Sequence, residues 1–423
     1  MERNEVVVIE DEEEKEKEEE KKEDEDEDDD DDDEDEEEIL GEQLINSCLN
    51  RNVEKVIKLL QNPFLDINWK NGNEETSFWI ACQKGYLEIV KLLLNDKSLD
   101  VNQVSCNDDS DIEDEYNGGD DDVNGRTSFW IACENGHIEI VRLLLNDQRV
   151  NVNYGYDPMK GYERRDDVEY KTPFYVACEK GYIEIVKLLL SNERVDINEG
   201  NEHHGTPLNI ACRKGHIEIV KLLLNDKRID INDYDGDDEN WVLNTACEKG
   251  HLEIVKLLLN DERIDLNKAD YKYDCTPFYN ACFNGHIEIV KLLLNDQRIN
   301  INKSNEHDQT PFWIACYNGN IEIVKLLLND ERIDINKKNK KHWNSGTTPF
   351  YIACHQGQIE TVKLLLNDKR IESDINKANK YGKTPIYTAC EKGYIEIVKL
   401  LNDRKVDLNQ VENEHGSTPL HYA

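Results

Sequence analysis

The residues of this chain best suited to chemistry are its twelve cysteines, and their spacing argues against reactivity. Ten of them (Cys48, Cys82, Cys133, Cys178, Cys212, Cys247, Cys282, Cys316, Cys354 and Cys390) return every 34 to 51 residues in one register of a repeated phrase. None stands in a C-x-x-C pair, so neither a redox dithiol nor a zinc knuckle is spelled out. A cysteine at one fixed repeat position reads as a small buried residue in a reducing compartment. Cys106 and Cys275 fall outside the register, in loops, and are the expected reactive thiols.

The remaining candidates for chemistry are weaker. The segment "DYDGDDE" (233–239) is acidic, but Gly236 comes fourth where a calcium loop of the EF-hand kind needs glycine sixth, so it reads as a solvated tip. His203 and His204 form a pair with no cysteines at ligand spacing. There is no glycine-rich phosphate loop and no nucleophile beside a base. No catalytic residue, metal or cofactor is therefore expected. The segment "KKNKKHW" (337–343) gathers Lys337, Lys338, Lys340 and Lys341 into the one strongly basic loop. It suits an acidic or phosphorylated segment, the alternative being a solvated run.

Charge narrows the class of partner. The chain has 423 residues and a formal net charge of −40. Residues 1–38 hold 27 Asp and Glu against five bases, 27 − 5 = 22 negative charges, so 39–423 carry the remaining 18. A segment so charged and so poor in apolar residues is expected to be a disordered tail. Direct nucleic-acid binding and a membrane surface are both disfavoured by this charge. The acidic start lacks the pattern of a signal peptide and no apolar run approaches ~20 residues, so the cytoplasm or nucleus is expected.

The elements that carry the cysteines are short and regular. In "TPFYVACEKGYIEIVKLLL" (172–190), Thr172 caps a helix, Pro173 takes its first position, and Gly181 closes it as a left-handed residue. A second helix follows, with Ile183, Val186 and Leu190 on one side, Ile185 and Leu189 beside them, and Glu184 and Lys187 outward. "NERVDIN" then reads as an extended arm leading into a hairpin-like loop. A base period near 34 with insertions marks a stack of units, none of which buries its apolar face alone.

This phrase resembles the ankyrin repeat, most fully in "TPLNIACRKGHIEIVKLLL" and the "DIN" that follows it (206–232). The resemblance covers nearly everything after residue 40, as about ten units and the start of an eleventh. It implies an all-α solenoid of stacked helix pairs over 39–423, non-catalytic, that binds proteins through finger loops and the palm face of the first helix, helix A. Four departures stand out. The glycine after the Leu triplet is missing, and the Asn found there is expected to supply the left-handed turn. The family's His in the Thr-Pro box appears only as His421. Two units read Thr-Ser (Thr76-Ser77, Thr127-Ser128) and one has lost the cap, reading Trp241-Val242. Finally, the chain stops inside helix A of the eleventh unit, a half repeat expected to fray or pair, or to be the cut end of a longer protein. The resemblance also implies Asn198, Asn232 and Asn302 as hydroxylation positions, against a turn role.

A binding site should lie where units differ. Insertions at 102–125 and 154–171 enlarge two fingers. After Ala-Cys, the palm pair is generally charged or amide, as in Arg213-Lys214 or Glu248-Lys249. Three consecutive units break this with Phe283, Tyr317 and His355. Each follows an aromatic by four residues (Tyr279, Trp313 and Tyr351), on one helix face. The expectation is a partner-binding aromatic stripe, the alternative for Tyr279, Trp313 and Tyr351 being filler between units. The functional expectation is an adaptor of unknown partner and oligomeric state. The alternatives are an acidic-tail chaperone or charge mimic for histone-like proteins, or the non-catalytic arm of a longer chain.

Overall fold

The computed structural model describes residues 28–105, 125–155, 171–200, 205–232, 241–340, 345–404 and 406–422. The tail over 1–27, most of the two enlarged fingers, Cys106, the pair His203-His204, the acidic segment 233–239 and Lys341 lie outside them. Twenty α-helices make up half of the described residues, the first running Asp28–Leu49 from within the acidic run. The one two-stranded sheet among the described residues is an antiparallel pairing of Val104–Ser105 with Arg126–Thr127. The fold is all-α, as paired helices. They form two compact units, residues 1–173 with 188–195, and residues 174–187 with 196–423.

Helix A is built by local chemistry. In Pro207–Lys214 the Thr206 hydroxyl accepts from the Asn209 N–H, Pro207 needs no partner, and Gly215 closes the helix at φ 78°. The Thr-Ser units keep this cap, with Thr76 Oγ1 accepting from Trp79 N–H at 3.1 Å and Thr127 Oγ1 from Trp130 N–H at 3.2 Å. At Trp241 no side chain caps the helix; the indole Nε1–H instead donates to Ala269 O at 3.0 Å. Pro207 to Cys212 are all buried, because helix A is flanked by its own second helix and by neighbouring units.

Helix B differs from its expected face. In Ile183–Leu190 the buried residues are Ile185, Val186 and Leu189, while Ile183 and Leu190 are half-buried. The buried stripe therefore lies along i, i+1, i+4. The outward pair holds, with Lys187 Nζ 2.6 Å from Glu184 Oε1.

The Asn after the Leu triplet does not turn left-handed. Asn95, Asn260 and Asn329 are right-handed helical in backbone. The last carbonyls of helix B take side-chain donors from the following repeat instead. In the second unit Arg263 Nη2 donates to Leu224 O at 2.8 Å, Arg298 to Leu259 O at 3.0 Å, Arg332 to Leu294 O at 2.7 Å and Arg370 to Leu328 O at 2.7 Å. In the first, Arg149 and Arg194 do the same for Leu94 and Leu145. Except at Arg194, which follows Asn192, each arginine is aimed by an aspartate two residues before it, as Asp261 aims Arg263 at 2.7 Å. A cation at a helix C-terminus is also favoured by the helix dipole.

Candidate partner-binding palm

In several repeats one side chain pins the palm ends of successive helices A together. His251 Nε2 meets Arg213 O at 3.1 Å, His286 meets Glu248 O at 2.9 Å and His216 meets Glu179 O at 3.0 Å. Farther along the same unit the donor becomes Asn320, to Cys282 O at 3.0 Å, and then Gln358, to Tyr317 O at 3.1 Å. The closing glycine makes room for the pin: a Cβ on Gly215 would stand 2.7 Å from the His251 ring, and its φ of +78° already disfavours a side chain. This lattice holds the residue after each cysteine in a fixed row.

In that row the three aromatic pairs stack. Ring centroids are 6.5 Å apart for Tyr279 and Phe283, 5.5 Å for Trp313 and Tyr317, and 6.2 Å for Tyr351 and His355, all nearly parallel. The first members, Tyr279, Trp313 and Tyr351, are buried. Their partners reach outward: Phe283 is 47% exposed, and Tyr317 and His355 are half-buried. Phe283 therefore offers apolar surface that its own core does not use. His355 Nδ1 lies 2.7 Å from Thr388 Oγ1, and burial together with Lys392 and Lys383 holds its pKa below the usual imidazole value.

Phe283 forms part of a cleft of about 550 Å³, within the range of small ligand sites. One wall is the palm row, with Arg213 and the pair Glu248–Lys249, whose charged atoms are 2.7 Å apart. The other is the finger Asp270–Cys275, which brings Lys272 and Tyr273 over it. The next finger braces this one, Glu306 N–H donating to Tyr273 O at 2.9 Å. Asp270 is 7% exposed and accepts from Tyr273 N–H at 2.7 Å; burial raises its pKa.

The other predicted residues end up elsewhere in role. Lys337 Nζ turns to Asn302 O and Lys338 Nζ to Ala378 O, both at 3.4 Å, and both lysines are half-buried. Burial and the nearby Lys377 lower the Lys338 pKa. Lys340 is exposed, and Lys341 lies outside the described residues. Cys275 is not a reactive thiol: it is 6% exposed, and burial, with Asp270 adding to it, drives its pKa far above the ordinary thiol value. The ten register cysteines are buried as expected, and desolvation raises each; Cys48, the mildest of those driven far up, goes to about 12. Asn198 takes a tie role, its Nδ2 donating to Arg228 O at 2.9 Å and its Oδ1 accepting from Asp230 N–H at 2.8 Å. Asn302 does likewise with Arg332 and Asp334.

The sequence reading missed the arginine braces, the histidine pins and the cleft. For the braces a signal existed: Asp-x-Arg recurs in register, from Asp147-x-Arg149 to Asp368-x-Arg370. For the cleft the signal was Asp270, where the fingers of the neighbouring repeats carry Asn305, Asn339 and Asn379.

The sequence pattern of the family described as Ankyrin repeats (3 copies) matches residues 44–155, 155–235, 235–305, 299–377 and 370–423. Comparison with curated proteins gives no match.

Proposed function

The chain belongs to the ankyrin repeat family, and on that premise we propose that it is a non-catalytic adaptor holding a protein partner on the palm of its second unit. Repeats of this family generally mediate protein–protein interaction and are typically non-catalytic. The observation that carries the reading is Phe283, 47% exposed and stacked on a buried tyrosine at the start of three consecutive aromatic palm positions. Surface anchors of this kind supply most of the binding energy in protein interfaces. Tyr317 and His355 extend the contact, and Tyr279, Trp313 and Tyr351 support it from below. The partner proposed is an acidic or phosphorylated segment, with Lys340 the described lysine of the basic finger left exposed to it. Eleven buried free thiols among the described residues support a reducing compartment, cytoplasm or nucleus. No described helix is long and apolar enough to cross a membrane.

Lysine-directed crosslinking of the protein with its captured partners, read by mass spectrometry, tests the reading. Crosslinks are expected at the palm lysines Lys214, Lys249 and Lys392. Crosslinks confined to the helix B lysines Lys221, Lys256 and Lys291 contradict it.

A further inference from the structure

The first repeat leaves open a face that later repeats cover. Its helix A is Asp28–Leu49 and its helix B Val53–Leu59, and no helix pair precedes them among the described residues. The register shows which side chains look that way. In the last repeat, which is followed by a short turn at Pro419–His421, Ile395 is 67% exposed while Ile397 stays buried. The Ile397 register, seven residues after the cysteine, is likewise buried at Ile89, Ile185 and Ile254, but in the first repeat it is Lys55, which is exposed. That register therefore faces the preceding repeat. Lys58 follows one turn later on the same side. Neither lysine is in an ion pair among the described residues.

Two apolar side chains share this face. Phe64 lies sixteen residues after Cys48, the register of Arg149, Arg263 and Arg298, which reach back to carbonyls of the preceding helix B. The turn that aims them is kept: Phe64 N–H donates to Asn62 Oδ1 at 3.0 Å, as Arg263 N–H does to Asp261 Oδ1. With no helix pair to reach, Phe64 is 62% exposed. Ile39, 54% exposed, lies two helical turns before Asn46 and on the same side of helix A. Asn46 is exposed at the register of buried Ile80 and Ile131.

We propose that this face is covered by the start of the chain itself, residues 5–14, "EVVVIEDEEE". Val6, Val7, Val8 and Ile9 lie against Phe64 and Ile39, and residues 10–14, all acidic, meet Lys55 and Lys58. Val6 to Ile9 is the one apolar run in residues 1–27. The described chain begins at Asp28, so residues 10–27 form the tether. At ~3.3–3.6 Å per residue that tether spans up to about 60 Å. Ile39 lies along the helix from Asp28 by only about 17 Å, at ~1.5 Å per residue. Length therefore permits the return. Covering Phe64 and Ile39 takes apolar surface out of water, and a repeat stack needs its end faces closed. The contact is independent of the palm.

Zero-length carbodiimide crosslinking of the full chain at low salt, read by peptide mass spectrometry, tests it. Residues 10–14 should join Lys55 or Lys58 at least tenfold more than they join Lys91 or Lys97 of the next repeat. Val6→Ser/Val7→Ser/Val8→Ser/Ile9→Ser leaves every charge in place, yet it should lower that yield about fivefold, as should Phe64→Ser. Circular dichroism and a urea melt confirm that each variant folds. Isotope-labelled and unlabelled chains, mixed in equal amounts, separate contacts within one chain from contacts between two. Crosslinks that join labelled to unlabelled chains would assign the face to a second copy and overturn the proposal. Unchanged yield in either variant overturns it, as does a spread over all four lysines or no crosslink at Lys55 and Lys58.

Discussion

Asn244 and Asp270 meet on a single carbonyl oxygen. Asn244 Nδ2 donates to Cys275 O at 2.8 Å, and the Asp270 backbone N–H donates to the same atom at 3.0 Å. The other face of the Asn244 amide, Oδ1, is buried without a partner. In neighbouring repeats the finger residue at this place is an asparagine whose Nδ2 donates to the residue equivalent to Asn244: Asn305 to Tyr279 OH at 3.3 Å, and Asn379 to Tyr351 OH at 3.1 Å. An ionised aspartate has no proton to give.

Asp270→Asn should therefore stabilise the fold at neutral pH, by about 1 kcal/mol, the size of one net hydrogen bond. The sign with pH follows from the raised pKa of Asp270. A carboxyl that the fold prefers protonated contributes stability below its unfolded value, about 3.9, and loses it as pH rises through the folded value. The advantage of the variant should thus widen from pH 4 to pH 7. Urea melts across that range check it; a variant less stable than wild type at pH 7 contradicts it.

The histidine pins ask only for a donor. His251→Ala removes the bond to Arg213 O and should cost about 1–2 kcal/mol in urea unfolding. His251→Asn and His251→Gln should recover a measurable part of that, since Asn320 and Gln358 serve the same place in other repeats. Equal losses for all three variants would mean that ring packing, not the hydrogen bond, holds the units together.

His355 makes the palm sensitive to acid. Its pKa is lowered first by burial, then by Lys392, with Lys383 adding and Glu391 opposing. The fold favours the neutral ring, so this stability is fully present above the unfolded value of about 6.5 and is lost as pH falls through it toward the folded value. Wild type should lose more stability between pH 7.5 and 5.5 than His355→Gln, as read by paired thermal melts. Identical pH profiles would show that His355 titrates as it does in the unfolded chain.

The thiol chemistry is equally concrete. Cys275 belongs with the slow, fold-protected thiols, because it is buried beneath its finger. Iodoacetamide labelling under native conditions, followed by peptide mass spectrometry, should modify Cys275 no faster than Cys282, and both only as the protein unfolds. Rapid labelling of Cys275 alone would show that the finger opens.

What the sequence made legible was local. Thr206, Pro207 and Gly215 act on the backbone within four residues of themselves, and the cap, start and stop of helix A could be read from them. The i, i+4 stacking of Tyr279 on Phe283 is of the same kind. What stayed hidden depends on partners a repeat away. Arg263 braces a carbonyl 39 residues upstream. Cys275 looked like a loop thiol, but the finger that carries it folds down against Asn244. Lys337 and Lys338 looked like a free basic tip because their carbonyl partners, Asn302 and Ala378, lie 35 and 40 residues away. The cleft combines Arg213 with Lys272 and Phe283, three residues that no single repeat contains.

The most direct measurement is quantitative affinity enrichment with mass spectrometry. It compares the intact chain, the chain lacking residues 1–38, and Phe283→Ala/Tyr317→Ala with circular dichroism matched to wild type. The account predicts that specific partners survive tail removal and fall at least tenfold with the double variant. Partners that are basic, persist in the double variant and vanish with the tail would contradict it, and would make the acidic segment the functional element.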